Sequence, residues 1–204
     1  MPLGLSKGRA RVKLWLAVAN RHARRVRGDV SGTTAVEFAL VAPLVIALIL
    51  GATQIAAIYL AQAELENAAE QAARLVLTNQ APASGSAGQA SFLNTVCGYL
   101  PALFACSSVM VDLESQAVCP NSSDALTMTP PTLTYNSSGQ VTNTWNYNPG
   151  SGGSLEILRV MYQWPVFTGP LGLVFSDLAN GTLLLTSTQV FQNEPGSGTT
   201  PTCS

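Results

Sequence analysis

The sequence predicts an α+β fold: one long N-terminal helix, transmembrane and then amphipathic, followed by a small domain with an antiparallel sheet. Three observations carry this. From Val30 to Gln62 the only charged side chain is Glu37, over a run long enough for the roughly 20 apolar residues a spanning helix needs. From Ala63 to Leu77 apolar residues recur at three- and four-residue steps among charges, the signature of a helix with one buried face. Beyond that, three or four segments alternate with period two and have no long helices between them, which favours antiparallel pairing on a helical surface.

Residues 1–32 read as a basic leader. Eight of the ten basic residues lie there: Lys7, Arg9, Arg11, Lys13, Arg21, Arg24, Arg25 and Arg27. Residues 33–204 keep two basic against ten acidic side chains, a net charge of −8, whereas the whole chain carries −1. Lys and Arg gather on the cytoplasmic side of a span, so the N-terminus is expected inside and everything after about residue 62 outside. An arginine-rich arm for nucleic acid is the competing reading, but the apolar run that follows directly argues for a membrane and against nucleic acid. Val12, Leu14, Trp15 and Leu16 would let the leader lie as a short helix on the inner face; a solvated leader fits equally.

Residues 33–62 hold the expected span, with Phe38–Leu60 as its apolar core. Pro43 is tolerated in membrane helices and can kink them, and Tyr59 suits an interfacial aromatic. Small residues Ala39, Ala42, Ala47, Gly51 and Ala52 would allow close helix packing. Residues 63–78 extend the helix, with Leu65, Ala68, Ala69, Ala72, Leu75 and Val76 recurring at three- and four-residue steps and a Glu70–Arg74 pair four apart. A continuous helix from Thr33 to Leu77 would be about 65–70 Å long.

Residues 79–90 read as a linker and 91–195 as the α+β domain. Within the domain a helix is expected from Ser91 to Phe104, divided by Pro101. Strands are expected over Ser107–Leu113, Leu155–Trp164 and Thr182–Gln192, with a weaker one over Val141–Tyr147. A turn of helix is expected around Leu173, and residues 196–204 read as a mobile tail. Asn121, Asn136 and Asn180 open glycosylation-type sequons, read here as polar loops.

Four cysteines, Cys97, Cys106, Cys119 and Cys203, fall in the exported part. An even count in an oxidising compartment predicts two disulfides, with three possible connectivities. Cys97 with Cys106 is favoured because that loop is short, leaving Cys119 for Cys203. No CxxC spacing occurs and the only histidine, His22, lies in the leader; no metal and no cofactor are expected. An enzyme is not expected either. The exported part lacks histidine and Gly-x-Ser-x-Gly. The Asp112/Glu114 couple reads as a solvated strand face.

Gly32 followed by Thr33-Thr-Ala-Val-Glu37-Phe38 resembles the class III signal of type IV pilins and pseudopilins. That resemblance implies cleavage after the glycine by a prepilin peptidase on the cytoplasmic face. The wider run from Ser31 to Pro43, with Gly51 and the alanine pairs 68–69 and 72–73, looks like the TadE-like family of tight-adherence (Tad, Flp-type) pili. So do Tyr162-Gln-Trp-Pro165, Val190-Phe191-Gln192-Asn193-Glu194-Pro195 and the Cys97/Cys106 pair. Gln192 departs from the pattern, where arginine is more usual. The resemblance implies a minor pseudopilin of a type IVc pilus, seated in the inner membrane, serving adhesion or secretion. Its implied partners are the peptidase, other Tad pilins and pseudopilins, and the assembly platform.

The expected processing site is Gly32 and Thr33. Cleavage would free an α-amine on Thr33, one turn from Glu37, at the positive end of a helix. That amine, or a neighbouring subunit's, would neutralise a carboxylate that otherwise costs a few kcal/mol in hydrocarbon. Glu37 and Phe38 are thus the expected assembly residues, and Ala39, Ala42, Pro43 and Gly51 the expected packing residues. The alternative is an uncleaved, single-pass envelope scaffold or binding protein, with Glu37 at the inner interface.

Overall fold

The computed structural model describes residues 31–118, 128–167 and 174–195. The leader before Ser31, Cys119, Cys203, the expected turn at Leu173 and the tail from 196 lie outside these residues. The chain divides into two units, up to Ile49 and from Leu50 onward.

Helix α1 runs Ser31–Leu77 and continues through Pro43 without a break. Its first part is apolar on every side: Val36, Phe38, Leu40, Val41, Leu44, Ile46, Leu48 and Ile49 are all exposed, Leu40 by 75%. Among the described residues of this part only Ala47 is buried, at 1%, and a helix so largely apolar and open matches a lipid environment. From Leu50 onward the pattern changes to a stripe. Ala61, Leu65, Ala68, Ala69, Ala72 and Val76 are buried, at the spacing the sequence predicts. The Glu70–Arg74 pair forms at 2.7 Å on the exposed side and adds little to stability.

The end of α1 is set by a Schellman cap. Asn79 has φ 56, the left-handed conformation that asparagine tolerates better than most residues. The Gln80 amide donates to the Leu75 carbonyl at 2.8 Å and the Asn79 amide to the Val76 carbonyl at 2.9 Å. These bonds satisfy carbonyls that a helix end leaves open.

Helix α2 spans Ser86–Tyr99, earlier at both ends than Ser91–Phe104. Leu100 is extended (φ −87, ψ 140), because a residue before proline is driven out of the helical region. Pro101 therefore ends the helix and does not divide it. The segment before α2 is packed: Ala81 lies against the core and the Tyr147 hydroxyl donates to the Pro82 carbonyl at 2.7 Å. A 3-10 turn, Cys106–Ser108, leads into the sheet.

Strands β1 (Val109–Gln116), β2 (Leu155–Pro165) and β3 (Thr182–Gln192) form an antiparallel sheet in the order β1-β2-β3. The register pairs Val111 with Val160, and Val160 with Ser187. One face carries Val109, Val111, Leu113, Leu158, Val160, Tyr162 and Leu185. It packs on the α1 stripe and on Phe92 and Val96 of α2 in a single core. Phe92 meets Tyr147 at 5.4 Å and Phe104 meets Tyr162 at 4.9 Å. Cys97 and Cys106 are joined by a disulfide, Cα atoms 5.7 Å apart, as the short loop predicts; it fastens α2 to the start of β1.

The opposite face corrects two expectations. Val141–Tyr147 forms no strand; it makes only isolated bridges, Tyr135 with Val141 and Leu113 with Tyr147. Asn146 and Asn148 still line the outer edge of β1, exchanging backbone bonds with Leu113 at 2.9 and 3.0 Å. Asp112, expected on a solvated face, is 1% exposed. Its partner Arg159 sits directly across the sheet, so the carboxylate is buried as half of an ion pair.

Candidate functional site on the long helix

Gly32, Thr33, Glu37, Phe38, Ala39 and Pro43 are all helical and exposed, Ala42 is half-buried, and Gly51 is buried together with Ala47. Thr33 and Glu37 stand four residues apart on α1, hence on one face. Glu37 has no hydrogen-bond or ion-pair partner among the described residues, and its neighbours Val36 (61%) and Phe38 (73%) are open. A Cβ at Gly32 would meet nothing within 4 Å. Among the described residues, packing therefore does not require glycine there.

Further along, α1 presents three amide side chains to the C-terminal domain. Gln54 Nε2 donates to the Phe167 carbonyl at 3.0 Å. Gln62 Nε2 donates to the Thr186 carbonyl at 3.1 Å. Asn79 Nδ2 donates to the Glu194 carbonyl at 3.0 Å. The Glu194 amide in turn donates to the Leu77 carbonyl at 3.0 Å. The helix is thereby fixed in rotation and in axial register against β3 and its flanks. Periodicity marked the apolar stripe but could not pair these amides with carbonyls more than a hundred residues away.

Residues 32–74 match the family model described as TadE-like protein. The matched stretch is the helix. No curated protein and no solved structure matches the chain. The TadE-like segment opens on Gly32, includes Glu37 and ends at Arg74, three residues before the end of α1. It covers the candidate membrane span up to Arg74 and most of the buried stripe, Val76 lying beyond it. The span and the TadE-like match fit a membrane-anchored protein related to Tad pili.

The sequence coupled Asp112 with Glu114 but did not bring Arg159 to them, and it did not single out the cluster around Glu156. On the outer sheet face, Arg159 Nη1 reaches Asp112 Oδ2 at 2.7 Å and Glu114 Oε2 at 3.5 Å, and the Asn146 amide donates to Asp112 Oδ1 at 3.0 Å. On the core face, Glu156 continues the row of Leu158, Val160 and Tyr162 and is fully buried. Ser154 Oγ donates to its Oε1 at 2.7 Å and Asn193 Nδ2 at 3.3 Å. Desolvation pushes the Glu156 carboxyl above the usual glutamate range, partly opposed by hydrogen bonds from Ser154 and Ser115. Glu156 Oε2 and Asn193 Oδ1 have no hydrogen-bond partner among the described residues. The outer cluster is paired internally and the inner one enclosed. Neither offers an open cleft with a nucleophile and base.

Proposed function

We propose that this chain is a TadE-like minor pseudopilin of a Tad/Flp (type IVc) pilus. In this reading the N-terminus is cytoplasmic, α1 crosses the inner membrane, and the C-terminal domain stands on the far side. A prepilin peptidase cleaves after Gly32. The new Thr33 amine meets Glu37 of the same or a neighbouring subunit and sets its register beside other pilins on the assembly platform. The role is structural, with no catalysis, in a fibre for adhesion or secretion.

The observation that carries this reading is Gly32 itself. Among the described residues nothing packs where its Cβ would be, which leaves it open to a peptidase, and the TadE-like match begins there. Glu37, exposed among apolar neighbours, supplies the carboxylate that such a cut would provide with a partner. The test is the mass of the membrane-extracted protein from cells with and without the peptidase. Loss of residues 1–32 only when the enzyme is present is expected. An intact leader in both strains would leave an uncleaved envelope scaffold.

A further inference from the structure

We propose that the open edge of β3, at Thr188 and Val190, docks an extended, basic segment of a different polypeptide, which joins the sheet beside β3. This partner is independent of whether the leader is cleaved.

The two edges of the sheet are finished differently. Along β1, the backbone of Asn146 and Asn148 bonds Leu113 at 2.9 and 3.0 Å. Along β3, the direction of each backbone group follows from the ladder. One step beyond the β2–β3 register, the Asn193 amide donates to the Ser154 carbonyl at 2.9 Å, and antiparallel pairs alternate between bonded and unbonded. Odd-numbered residues from Leu183 to Phe191 therefore turn their amides and carbonyls to β2, and even-numbered ones from Leu184 to Val190 turn theirs outward. Two outward groups agree: the Leu184 amide donates to Asp177 Oδ1 at 3.1 Å, and the Thr186 carbonyl accepts from Gln62 Nε2 at 3.1 Å. The outward groups of Thr188 and Val190 have no such partner among the described residues. Protein edges are commonly blunted by lysine, proline or a bulge. The 11 residues of β3 contain neither residue, and their pairing with β2 is unbroken. An alternating row of donors and acceptors is the template an extended peptide satisfies.

Charge selects the occupant. A groove of about 380 Å³ runs between this edge and the flank of α1, lined by Glu66, Asn67 and Glu70 on the helix and by Thr186, Thr188 and Gln189 on the strand. Glu66 and Glu70 are exposed, and no cation pairs with Glu66 among the described residues. One helical turn advances about 6 Å and two strand residues about 6.6 Å. Alternate side chains of an added strand thus keep step with the two carboxylates, and basic ones complement them. A second copy of this chain supplies no such side chain. Residues 33–204 contain only Arg74 and Arg159 as cations; the first is on Glu70 and the second is buried on Asp112.

The test adds a synthetic peptide alternating lysine with threonine, or its glutamate counterpart, to the full chain in zwitterionic detergent and follows amide hydrogen exchange at Thr188 and Val190. Saturable slowing at both amides with the lysine peptide, and not with the glutamate one, is expected. Val190→Pro removes an outward amide, a change that edge strands tolerate, and should weaken binding about tenfold, the equivalent of one hydrogen bond. Glu66→Gln with Glu70→Gln should abolish the preference for lysine. Unchanged exchange at millimolar lysine peptide would overturn the proposal, and this readout on the unmodified chain stands whether or not the proline variant folds. Equal binding by a folded Val190→Pro variant would also overturn it, as charge attraction without strand pairing. Slowing at both amides that grows with protein concentration and needs no peptide would overturn it in favour of a second copy.

Discussion

The side-chain amide of Asn79 donates to the main-chain carbonyl of Glu194 at 3.0 Å. Asn79 is the left-handed residue that closes α1, and Glu194 follows β3 and caps the Leu77 carbonyl. One residue thus ends the helix and binds the end of the sheet to it.

Replacing Asn79 tests both roles. Asn79→Gly keeps the left-handed conformation and loses only the side-chain bond; Asn79→Ala loses both. Loss of the hydrogen bond should cost about 1 kcal/mol, and alanine should cost more than glycine because its Cβ is strained at positive φ. Thermal denaturation in detergent would rank the two; an alanine variant as stable as the glycine one would defeat the cap assignment.

The Asp112–Arg159 pair should behave as a buried ion pair. Arg159→Met leaves two carboxylates, Asp112 and Glu114, without their cation, at a cost of roughly 3–5 kcal/mol. Combining it with Asp112→Leu and Glu114→Gln should recover much of the loss. Denaturant titration of the single and triple variants measures the difference; a triple variant no better than the single would argue against uncompensated charge as the cause.

Glu156 should make stability depend on pH. Its folded pKa is raised by burial, so the folded state holds the proton more tightly than the unfolded chain. The contribution is full below the usual glutamate pKa and is lost as pH rises through the folded value. The groups around it, Ser154, Ser115 and Asn193, are uncharged, and a protonated carboxyl supplies a donor to a box with two unpartnered oxygens. Glu156→Gln should flatten that part of the profile in melts between acidic and neutral pH. A wild-type advantage that grows with rising pH would contradict the sign.

Glu37→Ala should leave insertion, processing and the stability of the C-terminal domain unchanged, since Glu37 is exposed and has no partner among the described residues, while lowering the amount of assembled pilus. Co-purification with pilins and electron microscopy of cells provide the readout. Undiminished piliation would leave the carboxylate without a role in register.

The family match reaches only the helix, and the helix was also the most legible element. Its end at Leu77 and the strand Thr182–Gln192 fall where the sequence placed them, because uninterrupted periodicity and clear flanking turns act locally. Gly32 and Glu37, the expected processing and assembly residues, stood out in the sequence because Glu37 is a charge in an apolar run and Gly32 opens a run that resembles a class III signal. The start of α2 was misplaced because its Ser/Gly/Ala-rich first turn reads as linker; tertiary packing, not propensity, makes it helical.

By itself, the sequence determined the apolar span, the amphipathic stripe, the charge asymmetry and the local cysteine pair, all properties of neighbours within a few turns of chain. Only the tertiary structure decided that Asp112 is buried, that Glu156 lies on the core row, and that Gln54, Gln62 and Asn79 reach carbonyls across the fold. Those outcomes depend on strand register and on the rotation of α1. Cross-strand pairing sets the register, and the amide bonds from Gln54, Gln62 and Asn79 set the rotation; neither is written in any one segment.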